Sequence, residues 1–162
     1  IHFASAMTLL GLQDGDNASS GFGYLDIVDF ILRHSGDTEQ NLRELYRRVA
    51  FNICIGNSDD HFRNHGFLLT RMGWTLSPAY DINPTRNTHQ SLLISSTTSE
   101  ANLGILLEAS EEYMLPHEVA RSIIDEVRQG LEGWQNLATR LGISQREISL
   151  FEGRWTSGVK LE

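Results

Sequence analysis

The sequence contains one cysteine, one lysine and no apolar stretch long enough to cross a bilayer. The missing long apolar run excludes a transmembrane helix. Cys54 has no second cysteine to pair with, so a disulfide-stapled secreted scaffold is excluded and a reducing, cytoplasmic compartment fits. Basic residues are few: 13 Lys and Arg stand against 21 Asp and Glu, for a formal charge of -8. A surface that acidic repels phosphate backbones, which makes direct nucleic-acid binding a poor reading of this chain. Signal-peptide patterns, internal repeats and low-complexity linkers are also absent from the sequence. What remains is a chain of 162 residues, 40% apolar and 21% charged, which suits one globular domain with a real core. The first residue is Ile1 and the last two, Leu161-Glu162, resemble a cloning scar. The expectation is therefore a single domain over residues 1–160, cut from a longer protein.

Periodicity predicts a mainly helical domain with a small sheet. Residues 1–12 form a short apolar segment, and Gln13 to Gly23 reads as a loop rich in Gly, Asp, Asn and Ser. Tyr24, Leu25, Val28, Ile31 and Leu32 recur at helical spacing up to Ser35-Gly36. Asp37 with Gln40 has the spacing of a capping box, and Leu42, Leu45, Tyr46, Val49 and Ile53 give the next helix one apolar face, ending at Gly56. Phe67 to Arg71 and Trp74 to Leu76 flank Met72-Gly73 and predict a β-hairpin. Ser91 to Ile94 is a candidate strand, residues 100–109 a candidate helix, Pro116 to Arg140 one long helix, and Ser144 to Trp155 the last.

Polar residues crowd into the window from Asn57 to Gly66, between a helix and the hairpin, with Asp81 following the hairpin. Asp59 and Asn64 form Asp-x-x-x-x-Asn, the interval between catalytic Asp and metal-binding Asn in the catalytic loop of protein kinases. In kinases a hairpin then leads to a second acid that holds Mg²⁺, the place Asp81 takes here. Phosphoryl transfer calls for these residue types. Mg²⁺ prefers hard oxygen ligands, so one carboxylate and one amide oxygen suit it, while another carboxylate stays off the metal and accepts the proton of the attacking hydroxyl. A competing class is a metal-dependent phosphohydrolase that uses Asp59, Asp60, His61, His65 and Asp81. His61 and His65, four apart, would make a zinc pair only on a helix, and a loop is expected there. Asp60 reads as a solvated loop acid, and Cys54 as an inert core residue.

The stretch Asn57-Ser-Asp-Asp-His-Phe-Arg-Asn-His-Gly-Phe, followed by Leu76-Ser-Pro-Ala-Tyr-Asp-Ile, resembles the HipA family of bacterial Ser/Thr protein kinases, toxins of type II toxin–antitoxin modules. The resemblance implies the helical C-terminal lobe of a kinase-like fold, covering nearly the whole chain. It implies Asp59 as catalytic base and Asn64 and Asp81 as Mg²⁺ ligands. It also implies that His61, Phe62, Arg63 and Asn64, with Tyr80 and Asp81, surround the ATP phosphates. By the same resemblance the chain acts on a protein substrate, pairs with a helix-turn-helix antitoxin and meets operator DNA only through it. Arg63 keeps the charge of the Lys frequent in the family, whereas Asp60 replaces a frequent Gly and has no assigned role. No Gly-rich phosphate loop followed by a strand Lys is present, since Lys160 is the sole lysine. The ATP-clamping Lys and its Glu partner are expected in a separate N-terminal lobe. Without them the domain by itself is expected to fold but not to catalyse, and a catalytically inactive, partner-binding kinase lobe is the non-enzymatic alternative.

Overall fold

The computed structural model describes residues 2–85 and 88–157, so Leu161-Glu162 lies outside the described residues. Strand β1 (His2–Ser5) pairs antiparallel with β2 (Gly66–Thr70), which pairs antiparallel with β3 (Gly73–Leu76). The sheet therefore has three strands where the sequence predicted a two-stranded hairpin. The register sets Ala4 opposite Phe67 and Phe67 opposite Leu76, which puts the fully buried Phe67 at the centre. A four-residue strand shows too little alternation to be read by period, and its partner lies more than sixty residues away.

Helix α1 (Ala6–Leu9) follows, with the Ser5 hydroxyl accepting from the Thr8 N–H. Helices α2 (Tyr24–His34) and α3 (Thr38–Ile55) lie where the periodicity places them. Asp37 caps α3 by accepting from the Gln40 N–H at 3.1 Å, and Gly56 ends it in the left-handed conformation, φ 71°. Leu42, Leu45, Tyr46, Val49 and Ile53 are all buried, so α3 is the hydrophobic spine of the domain.

Two expectations are corrected. Residues 91–94 do not form a strand. Leu92 and Ile94 are fully buried, but the backbone makes only one parallel bridge, between Leu93 and Gly23. The Ile94 N–H turns back onto the Thr98 carbonyl at 2.7 Å, which stops any ladder. A Cβ at Gly23 would fall 2.5 Å from both Cβ and the carbonyl oxygen of Leu93, so the close approach requires glycine. The long helix expected from Pro116 to Arg140 is two helices, α5 (His117–Gly130) and α6 (Trp134–Arg140). Gly133, with φ 72°, breaks them. Past that break Ala138 is buried while Leu137 is exposed.

Helix α4 (Leu103–Glu108) runs into a 3₁₀ turn over Ala109–Tyr113, and α7 (Gln145–Ser157) closes the described chain. Three buried tyrosines peg the core through their hydroxyls. Tyr46 donates to the Leu106 carbonyl, Tyr113 to that of Ile94, and Tyr24 to the Asp60 carboxylate. Cys54 is fully buried, and burial pushes its thiol up to about 11, so it is an inert core residue as predicted. Among the described residues no helix is long and apolar enough to cross a membrane.

Candidate active site

The loop after α3 alternates between inward and outward residues. Asn57, Ser58 and Asp60 are buried, while Asp59 between them is exposed. The loop then forms a 3₁₀ turn at Phe62–Asn64, closed by the Asn64 N–H donating to the His61 carbonyl, and enters β2 at Gly66. Phe62 is a core side chain, packed edge-on against Phe22. Its ring therefore supports the loop from below. His61 and Arg63 lie on the outer side, and Arg63 is ion-paired with Asp14 of the loop that precedes α2.

Asn64 is held by a bond that decides its chemistry. Its side-chain Nδ2 donates to the Asp59 backbone carbonyl at 3.1 Å, which leaves its amide oxygen available to a hard cation. Asp81 is reached through a segment that is tied down on both sides. Arg48 of α3, paired with Glu44, donates to the Ser77 carbonyl at 2.6 Å, and Tyr80 donates its hydroxyl to the Arg63 carbonyl at 2.6 Å. Beyond Asp81, the Thr85 N–H returns to the Gly56 carbonyl. Burial pushes the Tyr80 phenol up; the Arg48 cation partly offsets this, and the charges of Asp60 and Asp81 add to the rise. Asp81 itself has φ 55°. A non-glycine residue held left-handed is uncommon, and such outliers collect at functional sites. One Asp81 oxygen accepts from Asn83 Nδ2 at 2.8 Å.

At one loop crossing Asn64 is bonded to Asp59, Tyr80 to Arg63 and Arg63 to His61, and Asp81 follows Tyr80 along the chain. Two hollows flank it. A cleft of about 230 Å³ opens beside Asp59, His61 and Arg63. A cavity of about 330 Å³ is lined by Asn64, Tyr80 and Ile82 on one wall and by Arg48, Phe51 and Val127 on the other. Two hard oxygens, one amide and one carboxylate, are a donor set that fits Mg²⁺ with phosphate oxygens and water completing its shell. Among the described residues no three His, Cys, Asp or Glu side chains are grouped to hold a metal ion.

Asp60 differs from its expected role as a solvated loop acid. It is only 3% exposed, and its Oδ2 accepts from Tyr24 of α2 at 2.7 Å, from Asn52 of α3 at 2.7 Å and from His65 Nε2 at 2.9 Å. Burial pushes its carboxyl up, but the His65 ring and the three donated hydrogen bonds outweigh this and hold it below the ordinary carboxylate value. Asn52 and Tyr24 were also missed as parts of the site. The available signal was Asn52 inside the apolar run Phe51-Asn-Ile-Cys-Ile, since a polar side chain on a buried face requires a partner.

The sequence matches the HipA-like C-terminal domain family over residues 1–134. A Haemophilus influenzae protein named "Putative kinase" is 36% identical over 59 residues, covering 36% of this chain and 17% of that protein. Among solved structures, HipA of Shewanella oneidensis MR-1, from a complex with HipB and its operator DNA, superposes with a TM-score of 0.76 at 15% identity. That superposition covers 98% of this chain and 42% of the HipA chain, and at this identity it shows the fold, which is kinase-like as the sequence predicted. The chain spans less than half the length of the HipA chain it matches.

Proposed function

This chain belongs to the HipA-like C-terminal domain family, and from that premise we propose that it is the helical lobe of a Ser/Thr protein kinase that transfers the γ-phosphoryl of ATP to a protein hydroxyl. One observation carries the reading: Asp59 is exposed at the mouth of a cleft while its own carbonyl orients Asn64 so that the amide oxygen is free. The Asp59 carboxylate accepts the proton as the acceptor hydroxyl attacks the γ-phosphorus, and the bond to the bridging oxygen of the leaving ADP breaks. Asn64 and Asp81 would hold Mg²⁺, which supplies charge neutralisation on the transferring phosphoryl group. His61 and Arg63 line the cleft beside Asp59 and would neighbour the ATP phosphates. We further infer a helix-turn-helix antitoxin as partner, with DNA met through it. The Shewanella HipA was solved with HipB and operator DNA, and the charge of -8 on this chain disfavours direct phosphate contact. A cytoplasmic location suits the single buried thiol.

The test is transfer of label from γ-labelled ATP to protein by the full-length protein with Mg²⁺. Label on serine or threonine is the expected result, and its absence with folded, nucleotide-saturated protein would refute the proposal. Within this reading, Asp81→Ala should weaken Mg²⁺-nucleotide binding by about tenfold or more, roughly 1.4 kcal/mol, by titration calorimetry. Because Asp81 is exposed, the fold should survive the substitution; alanine at its left-handed φ should lower the melting temperature by only about 2–4 °C.

A further inference from the structure

We propose that the buried Asp60–His65 pair is a positioning device that sets the separation of Asp59 and Asn64, an inference that rests on the kinase reading for its catalytic consequence. The sequence places each partner of the pair immediately after a candidate catalytic residue: Asp60 follows Asp59, and His65 follows Asn64. The pair closes on itself at 2.9 Å, with His65 1% exposed and Asp60 3% exposed. The backbone on either side of the active loop is therefore pinned by one buried hydrogen bond, and the Asn64 to Asp59 carbonyl bond spans the same gap on the outer side.

The pin is anchored to three helices. Tyr24 ties it to α2 and Asn52 ties it to α3. The His65 carbonyl accepts from the Ala6 N–H at the start of α1 at 2.7 Å. The Tyr24 ring also stands edge-on to the His65 ring at 5.7 Å, which fixes the ring plane. A loop would otherwise fluctuate by an ångström or more, and a displacement of about 1 Å between reacting groups can cost about 10² in rate. Asp60 and His65 also border the cavity beside Asn64 and Tyr80; in the proposed role they act through their neighbours Asp59 and Asn64.

The discriminating comparison is between two losses of one donor from the same carboxylate. His65→Leu removes the donor next to Asn64, whereas Tyr24→Phe removes an equivalent donor on α2, away from the loop. In the full-length protein at a temperature where all variants are folded, His65→Leu should lower kcat by about 10²-fold and Tyr24→Phe by no more than about threefold. His65→Gln, which can still donate to Asp60, should recover most of the loss. Equal effects of His65→Leu and Tyr24→Phe would show that the pair contributes only stability, and the proposal would fall. Should His65→Leu not fold, Asp60→Asn carries the comparison, because it keeps the shape and puts an amide in place of one oxygen. Amide exchange on the same proteins separates this proposal from the kinase reading. His65→Leu should speed exchange at Asn64 and Ala6 by about tenfold or more, leaving α5 unchanged. If wild type transfers no phosphate, the kinase reading fails and exchange alone decides: unaltered protection at Asn64 overturns the pin, and selective loss supports it.

Discussion

Asp59→Asn in the full-length protein is expected to abolish phosphoryl transfer and leave the fold intact. The expectation follows from how the loop presents the side chain. Asp59 faces solvent between two buried neighbours, so its carboxylate makes no core contact whose loss would unfold the chain. It is the one exposed acid on the Asp59–Asn64 loop, placed to take a proton from an incoming hydroxyl. A general base contributes about 10² to 10⁴-fold, and asparagine keeps the shape while removing the basicity. Labelled-ATP transfer should therefore fall by at least about 10²-fold while circular dichroism and melting temperature stay unchanged. The bond from Asn64 to the Asp59 backbone carbonyl survives the substitution, so the loss belongs to the carboxylate rather than to a displaced metal ligand.

Asp60→Ala, one residue along, should do the opposite: it should damage the fold first. Alanine would leave the Tyr24 hydroxyl, the Asn52 amide and the His65 ring pointing into a void with no acceptor. Leaving a buried donor without its acceptor costs about 1–3 kcal/mol, and three donors lose theirs here, so a total of about 3–5 kcal/mol is expected. For a domain of this size that lowers the melting temperature by roughly 6–20 °C. The pH dependence has a definite sign. The folded Asp60 carboxyl is held below its ordinary value of 3.8, so its stabilisation is fully present above the unfolded value and is lost as pH falls through the folded one. The gap in melting temperature between wild type and Asp60→Ala should thus be constant from neutral pH down to about 4 and shrink below it. A gap that widened on acidification would contradict the network.

These two neighbours show what a linear sequence conveys and what it withholds. Asp59, Asn64 and Asp81 could be proposed from the sequence because the pattern that suggests them is local: a fixed interval, a hairpin and a second acid in order. Asp60 was not legible, because its meaning depends on Tyr24, 36 positions away, and on the side of the loop it faces. An Asp in an Asn- and Gly-rich stretch has the composition of a solvated residue whichever way it points. The helices α2 and α3 were readable from apolar spacing and from Asp37 and Gly56, which mark ends by backbone chemistry alone. Strand β1 exists only because β2 offers it an edge, and four residues carry no periodic signal of their own. The break between α5 and α6 is different. Gly130 and Gly133 stand in the sequence as a warning, but the apolar spacing runs on across them, and only the left-handed Gly133 shows which of the two signals prevails.

In the proposed kinase lobe, Asn64 and Asp81 would jointly hold the metal of a nucleotide. The most direct measurement replaces Mg²⁺ by paramagnetic Mn²⁺ in the full-length protein with a non-hydrolysable ATP analogue and follows the broadening of assigned amide signals. Broadening should be strongest at Asn64 and Asp81, extend to Asp59 and Tyr80, and disappear from all four in Asp81→Ala at the same metal concentration. Broadening centred elsewhere, or undiminished by Asp81→Ala, would contradict the assignment.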